Sequence, residues 1–405
     1  MDTDRKPNVL WVSLMAPYDK VKHAGGRIEN YFLKNLHMTG KFKIHLISFA
    51  TEKIRDEIDL DKYGISNSVF YYSWTAKQRI INAYGKINIW NKGAGLTSPY
   101  YGDTAVKEMR RLKKKGYVPD IIILQWTEIA TILEEAKYIF PNAKIVMIEE
   151  DVSFLGHTRK AEASHGIKKM FLNAKAKKIR TRELELLNKS DLIILNNHKD
   201  EKLIQDKVNK GKIWVWCPYY QTMLDKPRKL HNRDIIFYGA LSREENWKSA
   251  IWFLENVWPK IKDYAVRFVM IGSNPPDVLK KYESDQVIVT GFVDEIYPYF
   301  QKSLCLVAPL VLGAGVKIKI LEGLSSGIPV LTNDIGIEGI PAINGREYFH
   351  CVSPDEYVET IRSLLNGKID FNSIEINSKS FIKKTFNFEK DVEEFRKKLQ
   401  LLISK

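Results

Sequence analysis

Between residues 308 and 341 the chain reads APLVLGAGVKIKILEGLSSGIPVLTNDIGIEGIP, and the chemistry these residue types can do is anion binding. An apolar strand ends at Pro309, a loop Gly313-Ala314-Gly315 follows, and Lys317, Lys319 and Glu322 ride the first turns of the next helix. Glycines at a helix start leave backbone N–H groups open where the aligned peptide dipoles favour a phosphate. Lys319 and Glu322 are three residues apart and share a helical face, one suited to a diphosphate and the other to ribose hydroxyls. Spacing alone fits equally well a plain helix-start loop carrying a surface Lys–Glu pair.

Other candidates lie in the first half. Gly25 and Gly26 open a helix after the first strand and would let backbone amides approach a diphosphate, although the connecting loop is too long for a dinucleotide GxGxxG turn. His23 and Arg27 flank them and are taken as acceptor contacts, with a solvated loop as the plain alternative. In IEEDVSFLGHTR, residues 148–159, Glu149, Glu150, Asp151 and His157 follow a strand at its carboxyl end. Asp151 there can orient an acceptor hydroxyl or steady oxocarbenium charge, and His157 can touch the acceptor. The competing reading is a solvated acidic loop. Asp59-Leu60-Asp61 is a DxD triplet with no strand before it, read as surface, and no metal site is expected.

These residues need a scaffold, and the pattern supplies one. Short apolar runs alternate with amphipathic stretches, as in βα units on a mostly parallel sheet. Strands are expected at 8–14, 43–50, 120–126, 143–150 and 191–196, then at 234–239, 266–272, 286–291, 304–309 and 329–332. Gly239, Gly272 and Gly291 end three of the later strands, where the backbone must turn tightly or approach a ligand. The expected organisation is an N-terminal domain over 1–216, a linker over 217–233 and a second domain over 234–385. A C-terminal helix over 386–405, with Val392, Phe395, Leu399 and Leu402 on one face, is expected to pack back towards the first domain.

Residues 308–341 resemble the donor-site signature of glycosyltransferase family 4, GxGxKxKxLE followed by GxPV and an EG loop. The likeness extends through FYGALSREENWKSAIWFLENVWPKI, VRFVMIGSNPP and VIVTGFVDEIYPYF, and more loosely to NVLWVSLMAP, HAGGR and DLIILNNHKDEK. It implies an α/β protein of GT-B type, with two Rossmann-like doubly wound domains facing across a cleft. It also implies metal-independent transfer from a nucleotide sugar with retention of anomeric configuration and no further cofactor. Glu322 falls on the second glutamate of the family's E-x7-E motif, while Ala314 stands at the first. Arg243 and Lys248 have the spacing of the family's diphosphate grip but begin later after Gly239. Donor contacts are therefore assigned to Gly25, Gly26, Arg243, Lys248, Gly272, Phe292, Gly313, Ala314, Gly315, Lys317, Lys319 and Glu322. Asp151, Lys319 and Glu322 are the catalytic candidates. Two other readings remain, a nucleotide-sugar epimerase on the same fold and a non-catalytic basic protein that binds membrane or nucleic acid.

Charge points to the partner. Of 63 basic and 49 acidic residues, 38 and 25 lie in residues 1–216, so +13 of the net +14 sits in the first half. An anionic partner fits such a surface. KKMFLNAKAKKIRTR, residues 168–182, holds seven basic and no acidic residues with Ile167, Met170, Phe171 and Ala174 at helical spacing, and suits an anionic leaflet or a core-packed helix with a solvated face. No aromatic platform interleaves the charge, so no nucleic-acid partner is expected. Three scattered cysteines make no disulfide framework, and uncharged runs such as Ser303 to Val316 fall short of the roughly 20 residues of a membrane span. The expected partners are a nucleotide sugar and a glycan or lipid-linked acceptor; the expected location is the cytoplasm, at the inner face of the membrane.

Overall fold

A computed structural model describes residues 5–21, 23–218, 220, 222–229, 232–313 and 315–404. The chain forms two units, Met1–Tyr219 with Phe388–Lys405, and Tyr220–Asn387. In the first unit, β1 (Asn8–Ser13), β2 (Lys43–Thr51), β3 (Ser66–Tyr72), β4 (Ile121–Gln125), β5 (Lys144–Glu149), β6 (Leu192–Leu195) and β7 (Ile213–Val215) form one sheet in the order β3-β2-β1-β4-β5-β6-β7. Its pairings are all parallel. The reason lies in the residues: Val9 to Val12 and Ile121 to Leu124 are fully buried, and such apolar runs suit strands covered on both faces. Alternate side chains then enter opposite cores. Leu10, Val12, Ile122 and Leu124 join one cluster, while Val9, Trp11, Ile121 and Ile123 join the other.

The second cluster explains the return of the chain. Val392, Phe395 and Leu399 of the helix Phe388–Ser404 pack there beside the stacked rings of Phe32 and Trp216, 3.7 Å apart. The backbone N–H of Cys217 donates to the Asp391 carboxylate on the same helix.

In the second unit, β8 (Asp234–Tyr238), β9 (Arg267–Ile271), β10 (Val287–Gly291), β11 (Cys305–Ala308), β12 (Val330–Thr332) and β13 (Phe349–His350) lie in the order β10-β9-β8-β11-β12-β13, again parallel. Much of 217–233, expected to be a linker, is built into this unit. Tyr220 and Met223 are buried, Met223 N–H donates to Ser325 Oγ, and Arg228 reaches the Ser303 carbonyl. Strands β3, β7 and β13 did not appear in the sequence pattern. All three lie at sheet edges, are only partly buried, and β7 and β13 are just three and two residues long, so they give little strand signal.

Candidate functional site

Each sheet has a point where the strand order reverses, and doubly wound folds bind ligands outside the carboxyl ends of the strands at that point. In the second unit it lies between β8 and β11. The chain leaves β8 through Gly239 and leaves β11 into the Gly313–Lys317 loop. Lys319, on the helix Ile318–Ser326, brings its ammonium back to β8: Nζ lies 2.6 Å from Asn246 Oδ1 and 4.8 Å from the centre of the Phe237 ring. A Cβ at Gly239 would sit 2.7 Å from that nitrogen, so the glycine makes the approach possible. Lys319 as a residue is half-buried, but its charge is governed by the enclosed nitrogen. Burial, with Lys317 and then Arg243 adding like charge, lowers its pKa to about 7 against the opposing pull of Glu245 and Glu322.

Glu322, one turn further along this helix, is buried. Lys317 occupies the helix N-cap, its Nζ donating to the Gly315 carbonyl at 2.5 Å and lying 3.9 Å from Glu338. Gly313 and Gly315 have φ of +137° and +73°, backbone that other residues enter only with strain. Ala314 lies outside the described residues. Arg243 and Lys248 are at the start of the helix Glu244–Asn256, ion-paired with Glu245 and Glu244 respectively. Arg243 adds positive charge to the Lys319 environment. Phe292 is exposed just beyond β10.

Gly272 has a different role. A Cβ there would lie 1.8 Å from the Gly239 carbonyl oxygen, so the ends of β8 and β9 approach each other backbone to backbone. Gly272→Ala is expected to push these turns apart and cost about 1–3 kcal/mol, read as a lower midpoint in urea unfolding. An unchanged midpoint would show that the turns can move freely.

In the first unit the order reverses between β1 and β4. The loop after β1 meets Trp126, the residue after β4, which holds a φ of +76°. A Cβ at Gly25 would lie 2.2 Å from Trp126 Cη2, and one at Gly26 would lie 2.5 Å from His23 Cε1. Gly26 N–H donates to His23 Nδ1 at 3.0 Å, capping the helix Ala24–Met38. The two glycines thus make room for side chains, and the Gly26 amide is already engaged. Arg27 is half-buried on the same helix.

Beneath this turn lies a set of buried carboxyls that spacing did not reveal. Trp126 Nε1 donates to Glu29 Oε2, and burial raises the Glu29 pKa to about 8. Glu150 accepts from Gln125 at 2.6 Å and from Asn196 at 2.8 Å, and burial pushes it well above the usual range. Glu149 faces Glu183, whose carboxylate accepts the N–H groups of Ser153 at 2.7 Å and Phe154 at 2.9 Å. Asp151, between these elements, is exposed. His157, on the helix Ser153–Glu162, is held neutral: burial, aided by Lys175 and Lys160, lowers its pKa to about 4. Asp59 of the DxD triplet is bound to Lys34 at 2.6 Å and takes the Asp19 N–H. Among the described residues no cluster of three or more His, Cys, Asp or Glu is arranged to hold a metal.

Two doubly wound units of this kind make the GT-B fold, and solved structures of that fold superpose on nearly the whole chain. Sucrose-phosphate synthase of Thermosynechococcus elongatus matches with a TM-score of 0.73 at 12% identity, covering 98% of this chain and 99% of that one. TarM of S. aureus matches at 0.68 and 11%, covering 100% of both. Anabaena HepE, solved with UDP and glucose, matches at 0.65 and 12%, covering 97% and 99%. Residues 232–367 match the family model Glycosyl transferases group 1, so the second unit carries a domain of that type. A Klebsiella pneumoniae protein described as an uncharacterized 44.6 kDa protein in the cps region is 24% identical over 224 residues; the match spans 50% of this chain and 56% of that relative.

Proposed function

We propose that the protein is a retaining glycosyltransferase that moves a sugar from a nucleoside diphosphate to a hydroxyl of a glycan or lipid-linked acceptor in polysaccharide or glycolipid assembly. The observation that carries this reading is Lys319, a buried ammonium held at the strand-order reversal of the second unit by Asn246, with Lys317 and Arg243 adding charge around it. Such a group is costly without an anion. A diphosphate fits the place, the sign and the glycine-lined helix start, and the group 1 match covers the same segment. HepE, of like fold, was solved with UDP and glucose.

On this reading the second unit holds the donor and the more basic first unit receives the acceptor. Lys319 stabilises the departing diphosphate together with Lys317, Arg243 and the loop amides, a charge compensation that calls for no metal ion. Glu322 binds the ribose, and Asp151 orients the acceptor hydroxyl. The acceptor proton passes to the departing diphosphate on the same face, so no protein nucleophile is needed.

Thermal unfolding against a panel of nucleoside-diphosphate sugars tests the reading. One donor should raise the midpoint by mass action, and its transfer product, followed by NMR, should keep the donor's anomeric configuration. Silence across the panel would sink the assignment, and an inverted product would sink its retaining part.

A further inference from the structure

Among the described residues the large exposed apolar side chains are unevenly distributed: eight of eighteen fall on two segments of the first unit. One is the helix Ala76–Ile87 and the turn after it, where Ile80 is 71% exposed and Trp90 81%. Ile81, Tyr84 and Ile87 project from the same stretch. The other is the start of the helix Gly166–Lys189, with Ile167 86% exposed and Met170 73%. That helix is buried through a different stripe, Ala176, Ile179, Glu183, Leu186 and Leu187, so its N-terminal apolar residues are not core.

The two segments adjoin. Lys175 Nζ donates to the Lys86 carbonyl at 2.7 Å, Arg182 donates to the Lys92 carbonyl at 3.1 Å, and Lys178 lies 5.3 Å from the Trp90 ring. Ile167, Phe171, Lys175, Lys178 and Arg182 follow helical spacing, so the exposed apolar residues continue the same row towards the N-terminus. The charge is one-sided: residues 62–102 and 163–182 contain no Asp or Glu and, between them, twelve Lys or Arg. Glu134 and Glu135, from the neighbouring helix Leu133–Ile139, pair with Arg182 and Lys92 and leave the lysines at 168, 169 and 177 outside those pairs.

We infer that this face docks on an anionic lipid leaflet. Isoleucine, tyrosine and tryptophan side chains projecting singly among lysines are the composition of a membrane-interface surface. Two copies meeting through the face would bring lysine against lysine, and bare isoleucines add nothing to nucleic-acid recognition. No helix among the described residues is long and apolar enough to cross a membrane, so the contact is interfacial. It holds whether or not the protein transfers sugar.

Flotation of the full chain with vesicles of phosphatidylcholine, alone and mixed with phosphatidylglycerol, tests the inference without any turnover. The wild type should float with the anionic vesicles and release at high salt. Ile80→Ser/Ile87→Ser/Trp90→Ser should remain at the bottom of the gradient with an unchanged melting temperature. Lys168→Ser/Lys169→Ser should lower partitioning to the anionic vesicles about fivefold per lysine and leave the neutral ones unaffected. No flotation, equal flotation with neutral vesicles, or a triple variant that still floats would overturn it. So would a wild-type dimer in light scattering that the triple variant converts to monomer, or RNA binding that the triple variant leaves intact.

Discussion

Replacing Lys319 with alanine is expected to lower sugar transfer about a hundredfold or more, the usual consequence of removing one preorganised charge from a developing anion. The pH dependence of the wild type is the sharper signature. With its pKa lowered to about 7 by burial and by neighbouring cations, Lys319 loses much of its charge in the empty protein above neutrality. A bound diphosphate favours the protonated form, so binding must draw in a proton. Donor affinity should fall about tenfold per pH unit above 7, until the pKa of the complex is reached. Calorimetry in buffers of different ionisation enthalpy should show proton uptake at pH 8 in the wild type and none in Lys319→Met. Stability should move the other way. The folded state resists charging Lys319, so Lys319→Met is expected to melt no lower than the wild type below pH 7. Full transfer by either variant, or donor binding by the wild type with no proton linkage, would remove Lys319 from the diphosphate. The reading implies a protein that keeps a destabilising group because its ligand needs it.

The parts of this site that the chain shows in its own order are those held by local spacing. Lys317, Lys319 and Glu322 sit within two turns of one helix, and the central strands are apolar throughout because both their faces are covered. What escaped was set by tertiary packing. Asn246 comes to Lys319 from 73 residues away, and Glu29 meets Trp126 across 97. Gly25 and Gly26 look like an amide cradle in sequence, and only the fold shows Trp126 and His23 in the space a side chain would fill. The apolar residues of the helix Gly166–Lys189 leave two readings open in sequence, a leaflet-facing row or a core stripe. Ile167, Met170 and Phe171 have helical periodicity, but the face that enters the core is fixed by where β5 and β6 lie, and it begins at Ala176. Glu149 and Glu150 fall in a loop-like acidic run, yet both are buried, because their side chains turn under the strand ends rather than into solvent.

Those buried acids carry the second large expectation, a fall in the stability of the first unit as pH rises. Glu183 accepts two backbone N–H groups at the start of the helix Ser153–Glu162, an arrangement that favours its ionised form. Glu149, fully enclosed beside it, is pushed well above the usual carboxyl range by burial and by the Glu183 charge. Of the two, Glu149 is therefore the group that keeps its proton beside the Glu183 carboxylate. An acid whose folded pKa exceeds its unfolded value binds more protons in the native state, so its contribution is complete below about pH 4.5 and is lost as pH climbs through the folded pKa. Burial places Glu183 at about 7 and Glu29 at about 8, so the loss should run from about pH 4.5 up to about 7 for the first and about 8 for the second, and higher still for Glu149, at as much as about 1.4 kcal/mol per pH unit for each group. Lys319 works in the opposite sense in the second unit, gaining stability between about pH 7 and the normal lysine range, so the decisive comparison is between variant and wild type. Glu149→Gln keeps a donor for Glu183 without a titrating proton. It should remove about one proton from the pH slope of unfolding and melt above the wild type at pH 9. Glu183→Ala leaves the Ser153 and Phe154 amides and the Glu149 carboxyl without their partner and should cost about 1–3 kcal/mol at every pH. It should also loosen the segment carrying Asp151 and His157. Parallel pH slopes in Glu149→Gln and the wild type would show that the pair shares no proton and that the segment is held by packing alone.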